Sequence, residues 1–287
     1  MIKRIVLGLT LIFFLSSCSS TKSNVDEGDN FDITVTSRED GSGTRKSFIE
    51  QTGLVKKGKN GEEEDMTTDN SMVVNSTNGA IKAVSIDKTA IAYVSLTALD
   101  DSVKPVKIEG VIPSKKTIES GEYKLQRPFS LVYDKENLSD VANDFLEFIK
   151  SKEVKDIIEK NDLVALSTEK SYQSKNLEGK LTITGSSSLS SIMEKLSEKY
   201  ESLNKDVDIE VLSNESLTGL KNVKDNVVDL AMVSNKLSDE SLSFEVFAID
   251  GIAIIVNKEN NFINDLSIKE LRDIYKGEII NTGELKK

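Results

Sequence analysis

Residues 37–45 read Ser-Arg-Glu-Asp-Gly-Ser-Gly-Thr-Arg, and their surroundings predict how the chain begins to fold. A short β-branched segment, residues 32–36, precedes them, and a helix is predicted at about residues 44–51. The chain should therefore run from a strand through a Gly-Ser-Gly turn into a helix. A helix start leaves backbone N–H groups without partners, and glycines let other groups approach the backbone closely. This arrangement predicts a site for a small anion.

Side chains of the same stretch add to this site. Ser42 and Thr44 contribute hydroxyl donors next to Gly43, and Arg38 contributes a planar charged guanidinium that suits an oxyanion. A competing interpretation is a phosphatase-like enzyme, with Ser42 as nucleophile and Lys46 as its base. The sequence has no histidine, which excludes Ser-His-Asp and Cys-His catalysis and the common zinc sites. We therefore expect neither an enzyme nor a bound metal or cofactor.

Strand and helix patterns alternate along the rest of the chain. Helical patterns with apolar residues at three- and four-residue spacing lie between short β-branched or apolar runs. This alternation predicts an α/β architecture with largely parallel sheets. The predicted strands are residues 32–36, 90–94, 129–133, 181–184, 207–212, 228–233 and 252–256.

Charge and composition limit the possible functions. The formal net charge is −11, which argues against a nucleic-acid partner. The acidic run at residues 62–65 is predicted to be a solvated loop rather than a metal site, because no ligand periodicity accompanies it. Cys18 is the only cysteine, so one chain cannot form an internal disulfide.

The N-terminus has the features of a bacterial lipoprotein signal peptide at residues 1–17. Lys3 and Arg4 precede an apolar run that is too short to span a bilayer comfortably, and the sequence Leu-Ser-Ser-Cys then ends at Cys18. This lipobox pattern predicts that Cys18 is lipidated and holds the protein on the extracytoplasmic face of the cell membrane. Residues 18–31 are polar and lack periodicity, so we expect a flexible tether.

Three blocks of the sequence resemble one family. Residues 37–45 resemble the arginine motif of the phosphate-binding proteins that serve bacterial phosphate ABC transporters, the PstS family. Residues 182–188 with the following helix at 189–203 resemble the family's opening strand, Gly/Ser loop and first helix, and residues 250–257 resemble its crossover strand. The resemblance implies a monomeric solute-binding protein with a type II periplasmic-binding-protein-like fold, which passes inorganic phosphate to ABC permease subunits.

The order of these blocks differs from that in the family. There the Gly/Ser block comes first and the arginine block lies in the middle, so this chain looks circularly permuted, with the joined ends at residues 168–180. The resemblance implies one lobe made of residues 32–125 and 257–287, and a second lobe at 126–256 with hinge strands at its ends.

The resemblance also implies a set of phosphate contacts. Arg38, Ser42, Gly43 and Thr44 match the arginine motif, and Asp40 matches an aspartate that braces the arginine. Some members carry, at the position of Ser234, an aspartate that accepts a proton from phosphate and excludes sulfate. Asp250 is a candidate for that acceptor here, the alternative being that it caps the turn before the hinge strand. The remaining matches are Ser187, Ser188 and Ser216, and the glycine after Ser216 in the family is replaced by Leu217.

Two further functions remain open at this point. A phosphate-sensing or adhesive lipoprotein would bind the same ligand without transporting it. The phosphatase-like enzyme would turn over a phosphate ester. Growth on limiting phosphate after deletion separates the first alternative from transport, and an assay of ester hydrolysis tests the second.

Overall fold

The structure is a computed structural model that describes residues 30–58, 63–237 and 240–285. The predicted signal peptide, the lipidation site Cys18, most of the tether and the first residue of the acidic run lie outside this range. Within the described residues, no helix has the length and apolar character needed to cross a membrane.

The described chain alternates between strands and helices. The helices are α1 (Gly43–Thr52), α2 (Thr77–Ile86), α3 (Lys115–Glu119), α4 (Asp140–Ile149), α5 (Lys152–Glu159), α6 (Ser190–Leu203), α7 (Ser216–Lys224) and α8 (Ile268–Lys276). The strands are β1 (Thr34–Arg38), β2 (Val55–Lys57), β3 (Glu63–Asp65), β4 (Met72–Val74), β5 (Ala90–Ser95), β6 (Val103–Pro105), β7 (Lys107–Ile108), β8 (Gln126–Tyr133), β9 (Val164–Ala165), β10 (Glu178–Ser186), β11 (Asp206–Asn214), β12 (Leu230–Val233), β13 (Ser243–Asn257) and β14 (Asp265–Leu266).

One large sheet runs through the described chain in the order β11-β10-β12-β8-β13-β5-β1-β4, with β6 and β9 pairing with β13, and two small sheets, β14-β7 and β2-β3, stand apart from it. The outer pairs β11–β10, β10–β12, β5–β1 and β1–β4 are parallel, and the three central pairings are antiparallel. Parallel neighbours require crossover connections, which the helices provide. The predicted α/β class is confirmed, with antiparallel pairing limited to the centre of the sheet.

Strand β13 joins the two halves of this sheet. Its residues 243–251 pair with β8, and its residues 252–256 pair with β5. One hydrophobic cluster packs around β1, β5 and the second half of β13, and another packs around β8, β10 and β12. The chain passes between these clusters after Leu125 and again between Ala248 and Ile252. The protein is thus two-lobed, while the full lobe boundaries remain a prediction.

The first and last described segments lie side by side. Asp32 forms a β-bridge with Asn281, and the Ile33 amide donates to the Ile280 carbonyl at 2.8 Å. The Phe31 amide donates to the Thr282 hydroxyl at 3.1 Å. Both ends therefore belong to the lobe that contains β1.

Helix α1 shows how local sequence sets up the site. Ser42 is the N-cap and accepts a hydrogen bond from the Arg45 amide at 3.3 Å. Gly53 ends the helix with a φ of 73°, a left-handed conformation that glycine adopts without steric cost. These two residues fix where the helix begins and ends, and so they fix the Gly-Ser-Gly turn at the end of β1.

Candidate functional site

Arg38 lies at the end of β1 and is 2% exposed. Its Nε donates to Glu39 Oε2 at 2.8 Å and its Nη2 to Glu39 Oε1 at 2.6 Å. The same guanidinium donates to the Thr77 hydroxyl and to the Ser187 hydroxyl, both at 3.2 Å. Such a bidentate pair fixes the guanidinium plane and aims its remaining N–H groups at the hydroxyls.

The carboxylate that braces Arg38 is that of Glu39, and the expectation for Asp40 is wrong. Asp40 has a side chain that is 96% exposed and pairs with Arg45 Nη1 at 2.7 Å. Arg45 also donates to the Arg38 carbonyl at 2.7 Å and to Asp65 at 2.8 Å. Asp40 therefore acts on the outer side of the turn through Arg45.

Buried hydroxyls surround the end of the Arg38 side chain. Thr44 lies 2.8 Å from Ser188, and Thr77 lies 3.2 Å from Ser188 and 3.4 Å from Ser187, measured between side-chain oxygens. Thr44 and Thr77 stand in the first turns of α1 and α2, and Ser187 and Ser188 directly precede α6. Three helix N-termini thus meet at one place, where their unpaired N–H groups and dipoles favour negative charge.

A fourth helix start reaches the site through Gly43. A Cβ atom at Gly43 would lie 2.4 Å from Ser216 Oγ, 2.6 Å from Ser234 Oγ and 2.8 Å from Asn235 Oδ1, too close for any residue but glycine without rearrangement. Ser234 also lies 2.8 Å from the Ser186 hydroxyl. The turn before α1 is therefore pressed against the start of α7 and the loop after β12.

The backbone at Leu217 makes an interlobe contact. Its amide donates to the Gly41 carbonyl at 3.3 Å, although leucine stands where the family has glycine. The backbone bond therefore exists despite the leucine side chain, which is exposed.

A buried ion pair completes the site, and the sequence reasoning missed its cation. Arg127 Nε and Nη2 lie 2.9 and 2.8 Å from Asp250 Oδ2, with both side chains fully buried. Arg127 Nη1 donates to the Thr44 hydroxyl at 2.5 Å, and the guanidinium lies 5.2 Å from the centre of the Phe129 ring. Arg127 therefore links β8 to the hydroxyl cluster.

One of the two expectations for Asp250 is wrong. It lies inside the continuous strand β13, directly opposite Arg127, so it does not cap a turn. Its Oδ2 accepts from Arg127, while its Oδ1 is buried without a hydrogen-bond partner, so its role as proton acceptor stays a prediction. Burial lowers the pKa of Arg127 and raises that of Asp250, and the attraction between the two opposes both shifts. Because arginine keeps its proton, donates to Asp250 Oδ2 through Nε and places Nη2 at 2.8 Å from the same oxygen, the pair is ionised.

The structure thus brings together seven of the predicted contacts, and their contact with a ligand stays a prediction. Ser42 stands beside them with its hydroxyl engaged in capping α1. Thr77 and Arg127 join the site without having been predicted. An arginine just before the predicted strand 129–133 was the available signal for Arg127, and the N-cap pattern Ser-Thr-Asn-Gly was the signal for Thr77. The seven are Arg38, Gly43, Thr44, Ser187, Ser188, Ser216 and Ser234.

This arrangement supplies hydrogen-bond donors and positively charged groups. Among the described residues, no group of three or more histidine, cysteine or acidic side chains could hold a metal ion. The Ser42 hydroxyl accepts from the Arg45 amide, and the Lys46 side chain lines a groove beside α7. Hydroxyls, guanidinium groups and helix N-termini are the groups that bind a tetrahedral oxyanion.

Fold and site together define a two-lobed solute-binding protein with a buried cluster of hydroxyl and guanidinium groups at the junction of its lobes. The chain belongs to the PBP superfamily and, within it, to the PstS phosphate-binding proteins. The family model described as a PBP superfamily domain matches residues 20–153 and 170–283. This membership confirms the predicted family and a binding protein rather than an enzyme.

Relatives match the chain to different extents. Phosphate-binding protein PstS 2 of Streptococcus agalactiae serotype V is 41% identical over 286 residues, which cover 98% of this chain and 96% of the relative. The crystal structure of a phosphate-binding protein of a phosphate ABC transporter from Streptococcus pneumoniae is 41% identical, with a TM-score of 0.71, and covers 89% of this chain and 100% of its own. Phosphate-binding protein PstS of Staphylococcus saprophyticus is 33% identical over 110 residues, which cover 35% of this chain and 34% of the relative.

Proposed function

We propose that this protein captures inorganic phosphate outside the cytoplasm and delivers it to an ABC permease. The observation that carries the proposal is the buried guanidinium of Arg38, which is fixed by Glu39 and aimed at the hydroxyls of Thr77 and Ser187 at two helix starts. A tetrahedral anion can accept from all of these groups at once. The names of the nearly full-length relatives, phosphate-binding protein PstS 2, support phosphate as this anion.

In this proposal Arg38 and Arg127 have different roles. Arg38 contacts the anion directly through its fork. Arg127 holds the Thr44 hydroxyl at 2.5 Å and adds positive charge from the hinge side. The hydroxyls of Thr77, Ser187 and Ser188 and the backbone amides at the helix starts supply the remaining donors, and one chain takes one phosphate as a monomer.

Calorimetric titration with phosphate tests the site. Arg38→Ala should weaken binding by on the order of 3 kcal/mol or more, about a hundredfold in Kd. Arg38→Lys keeps the charge but loses the planar fork, so it should fall between the parent and the alanine variant. Arg272→Ala on α8 is the matched control and should bind like the parent. Equal affinity of Arg38→Ala and the parent would refute the site.

We also propose that lipid on Cys18 anchors the protein to the membrane. The support is the lipobox sequence, and two acyl chains suffice for stable attachment. Cys18→Ala should move the protein from the membrane fraction to the aqueous fraction. Equal membrane retention of parent and variant would contradict the anchor.

The circular permutation remains our proposal as well. Two observations support it: the described ends lie together in one lobe, and relatives match either the whole chain or only about a third of it. A rearranged chain, opened within residues 168–180 and with residue 287 linked to residue 32, restores the family order. It should fold cooperatively and bind phosphate like the parent. If only the rearranged chain folds, the native order is not a working permutation.

Transport is separated from sensing by growth. A strain that lacks this gene should grow poorly on limiting phosphate, and Arg38→Ala should fail to restore growth while Arg272→Ala restores it. Normal growth of the deletion strain, with other phosphate importers also removed, would favour a sensing or adhesive role.

A further inference from the structure

A groove beside α7 adjoins the candidate site without being part of it. Asn235 lines this groove and also packs against Gly43 on the turn before α1. The groove has a volume of about 640 Å³, and its lining holds four lysines and three leucines against one acidic residue, Asp225. The chain as a whole carries a net charge of −11, so this local excess of positive charge stands out from the rest of the molecule. The lysines are Lys46, Lys221, Lys224 and Lys236.

Both lobes contribute to the walls of this lysine groove. Lys46 stands near the start of α1, in the lobe that contains β1, whereas the other lining residues belong to α7, its C-cap and the loop after β12. The Ser47 hydroxyl donates to the Ser234 carbonyl at 3.2 Å, and the Leu217 amide donates to the Gly41 carbonyl at 3.3 Å. The two walls of the groove therefore meet only while the lobes stand together.

Lysines on the rim of the groove are available to a partner. Within the described ranges, no carboxylate lies within salt-bridge distance of Lys46, which is half-buried, or of Lys236, which is exposed. Lys221 pairs with Asp225 one turn further along α7. An exposed pair of this kind contributes about 1 kcal/mol or less, so a partner's carboxylate can compete for Lys221.

Leucine side chains supply an apolar surface between these charges. Leu217 is 63% exposed, and Leu220 and Leu237 are partly buried. Exposed apolar surface that is rimmed by polar residues is typical of a contact site for another protein. A free inorganic anion would use the lysines and leave the leucines without a partner. The combination therefore favours a protein segment over a small ion.

We infer that the lysine groove binds a protein segment with acidic side chains beside an apolar one, and that this segment belongs to the permease. The inference rests on the proposed function, because it names the surface through which that partner is recognised. Carboxylates of the segment pair with Lys46 and Lys236, and its apolar side chain packs on Leu217. Because the two walls belong to different lobes, the segment binds the arrangement in which the lobes stand together.

Binding of the phosphate-loaded protein to the purified phosphate permease of the same organism, held in lipid nanodiscs, tests the inference. The protein is the mature chain with Cys18→Ser, so that no lipid anchor inserts into the nanodisc. Nanodiscs of the same anionic lipids without permease form the second arm. We expect binding to the permease alone, with a Kd that rises with salt, because salt screens the charge pairs at the rim.

Reversing the charge of the groove should separate permease binding from phosphate binding. The combined variant Lys46→Glu, Lys221→Glu, Lys236→Glu should raise the Kd for the permease by at least about tenfold. Its calorimetric Kd for phosphate should stay within about twofold of the parent, because these lysines lie outside the hydroxyl and guanidinium cluster. Leu217→Ser removes the exposed apolar side chain and keeps the backbone amide, so it should weaken permease binding alone.

A matched control reverses three exposed lysines outside the groove and changes the net charge by the same amount. These are Lys107, Lys135 and Lys205. The control should bind the permease like the parent, and an equal loss in control and groove variants overturns the inference. So does a groove variant that binds the permease as tightly as the parent.

Two other outcomes are equally decisive. Equal binding of the parent to nanodiscs without permease overturns the inference, because a lipid surface would then be the partner. A parent that binds phosphate but not the permease overturns it as well. A parent that binds no phosphate in calorimetry refutes the proposed function itself, whatever the groove variants do.

Discussion

Replacing Asp250 with asparagine should destabilise the protein strongly, because it leaves the Arg127 guanidinium charged and buried without its partner. Both side chains are fully buried, and the two contacts between them measure 2.9 and 2.8 Å. Breaking such a pair from one side costs about 3–5 kcal/mol. A loss of 1 kcal/mol lowers the Tm of a domain of this size by about 2–4 °C, so we expect a fall of about 6–20 °C.

Removing both charges should cost much less than removing either one. The double variant Arg127→Met, Asp250→Leu leaves no unpaired charge, and its side chains fill much of the same volume. It still loses the bond to Thr44 and the contact with Phe129, so a residual loss of about 1–2 kcal/mol is expected.

Denaturant unfolding without phosphate, arranged as a double-mutant cycle, measures these values. Asp208→Asn is the matched control, because it breaks an exposed pair with Lys180 of 3.2 Å and should change the free energy of unfolding by less than about 1 kcal/mol. The reasoning is refuted if Asp250→Asn stays within about 1 kcal/mol of the parent, or if the double variant loses the sum of the single losses.

Three further predictions concern the site. Glu39→Gln should lower the free energy of unfolding by about 2–3 kcal/mol, because it leaves Arg38 buried without its carboxylate. Asp40→Asn should change the free energy of unfolding by less than about 0.5 kcal/mol, and equal effects of the two variants in urea unfolding would contradict the assignment of Glu39. Thr77→Val should weaken phosphate binding by about tenfold, since it removes the hydroxyl that Arg38 contacts, while the exposed neighbour Asn78→Ala leaves calorimetric affinity unchanged. Burial raises the pKa of Tyr93 to about 12 from 10.0. The unfolded state therefore loses this proton first, and the stability of the protein falls as pH rises from about 10 to 12. Tyr93→Phe should make the fall in Tm over this pH range less steep, and an unchanged slope would contradict the prediction.

Local signals predicted the parts of the fold that local chemistry controls. Helix α8 shows this well, since Ser267 and Glu270 form the predicted capping box and Gly277 ends the helix in the left-handed conformation. The turn before α1 was equally readable. Strand β13 was only half predicted, because its second half is continuously apolar whereas residues 243–249 mix polar and apolar side chains.

Contacts between segments that lie far apart in the chain could not be predicted from the sequence. Arg127 and Asp250 are 123 positions apart and meet only because β8 and β13 pair in one register. Whether Glu39 or Asp40 pairs with Arg38 depends on which of the two side chains points toward the guanidinium at the end of the strand. Adjacent side chains in a strand point to opposite faces, so only one of them can do so. Neither outcome follows from composition, spacing or propensity alone.

The hydrogen bond between the Leu217 amide and the Gly41 carbonyl marks two positions at which the protein could be labelled to make an optical sensor. It joins two exposed neighbourhoods on opposite lobes, with the Asp40 side chain on one and the Leu217 side chain on the other. Cys18 is the chain's one cysteine, so a version with Cys18→Ser can be labelled selectively at cysteines introduced at positions 40 and 217. Two dyes there would quench each other when the lobes close and separate when they open, which would make the protein an optical reporter for its own ligand.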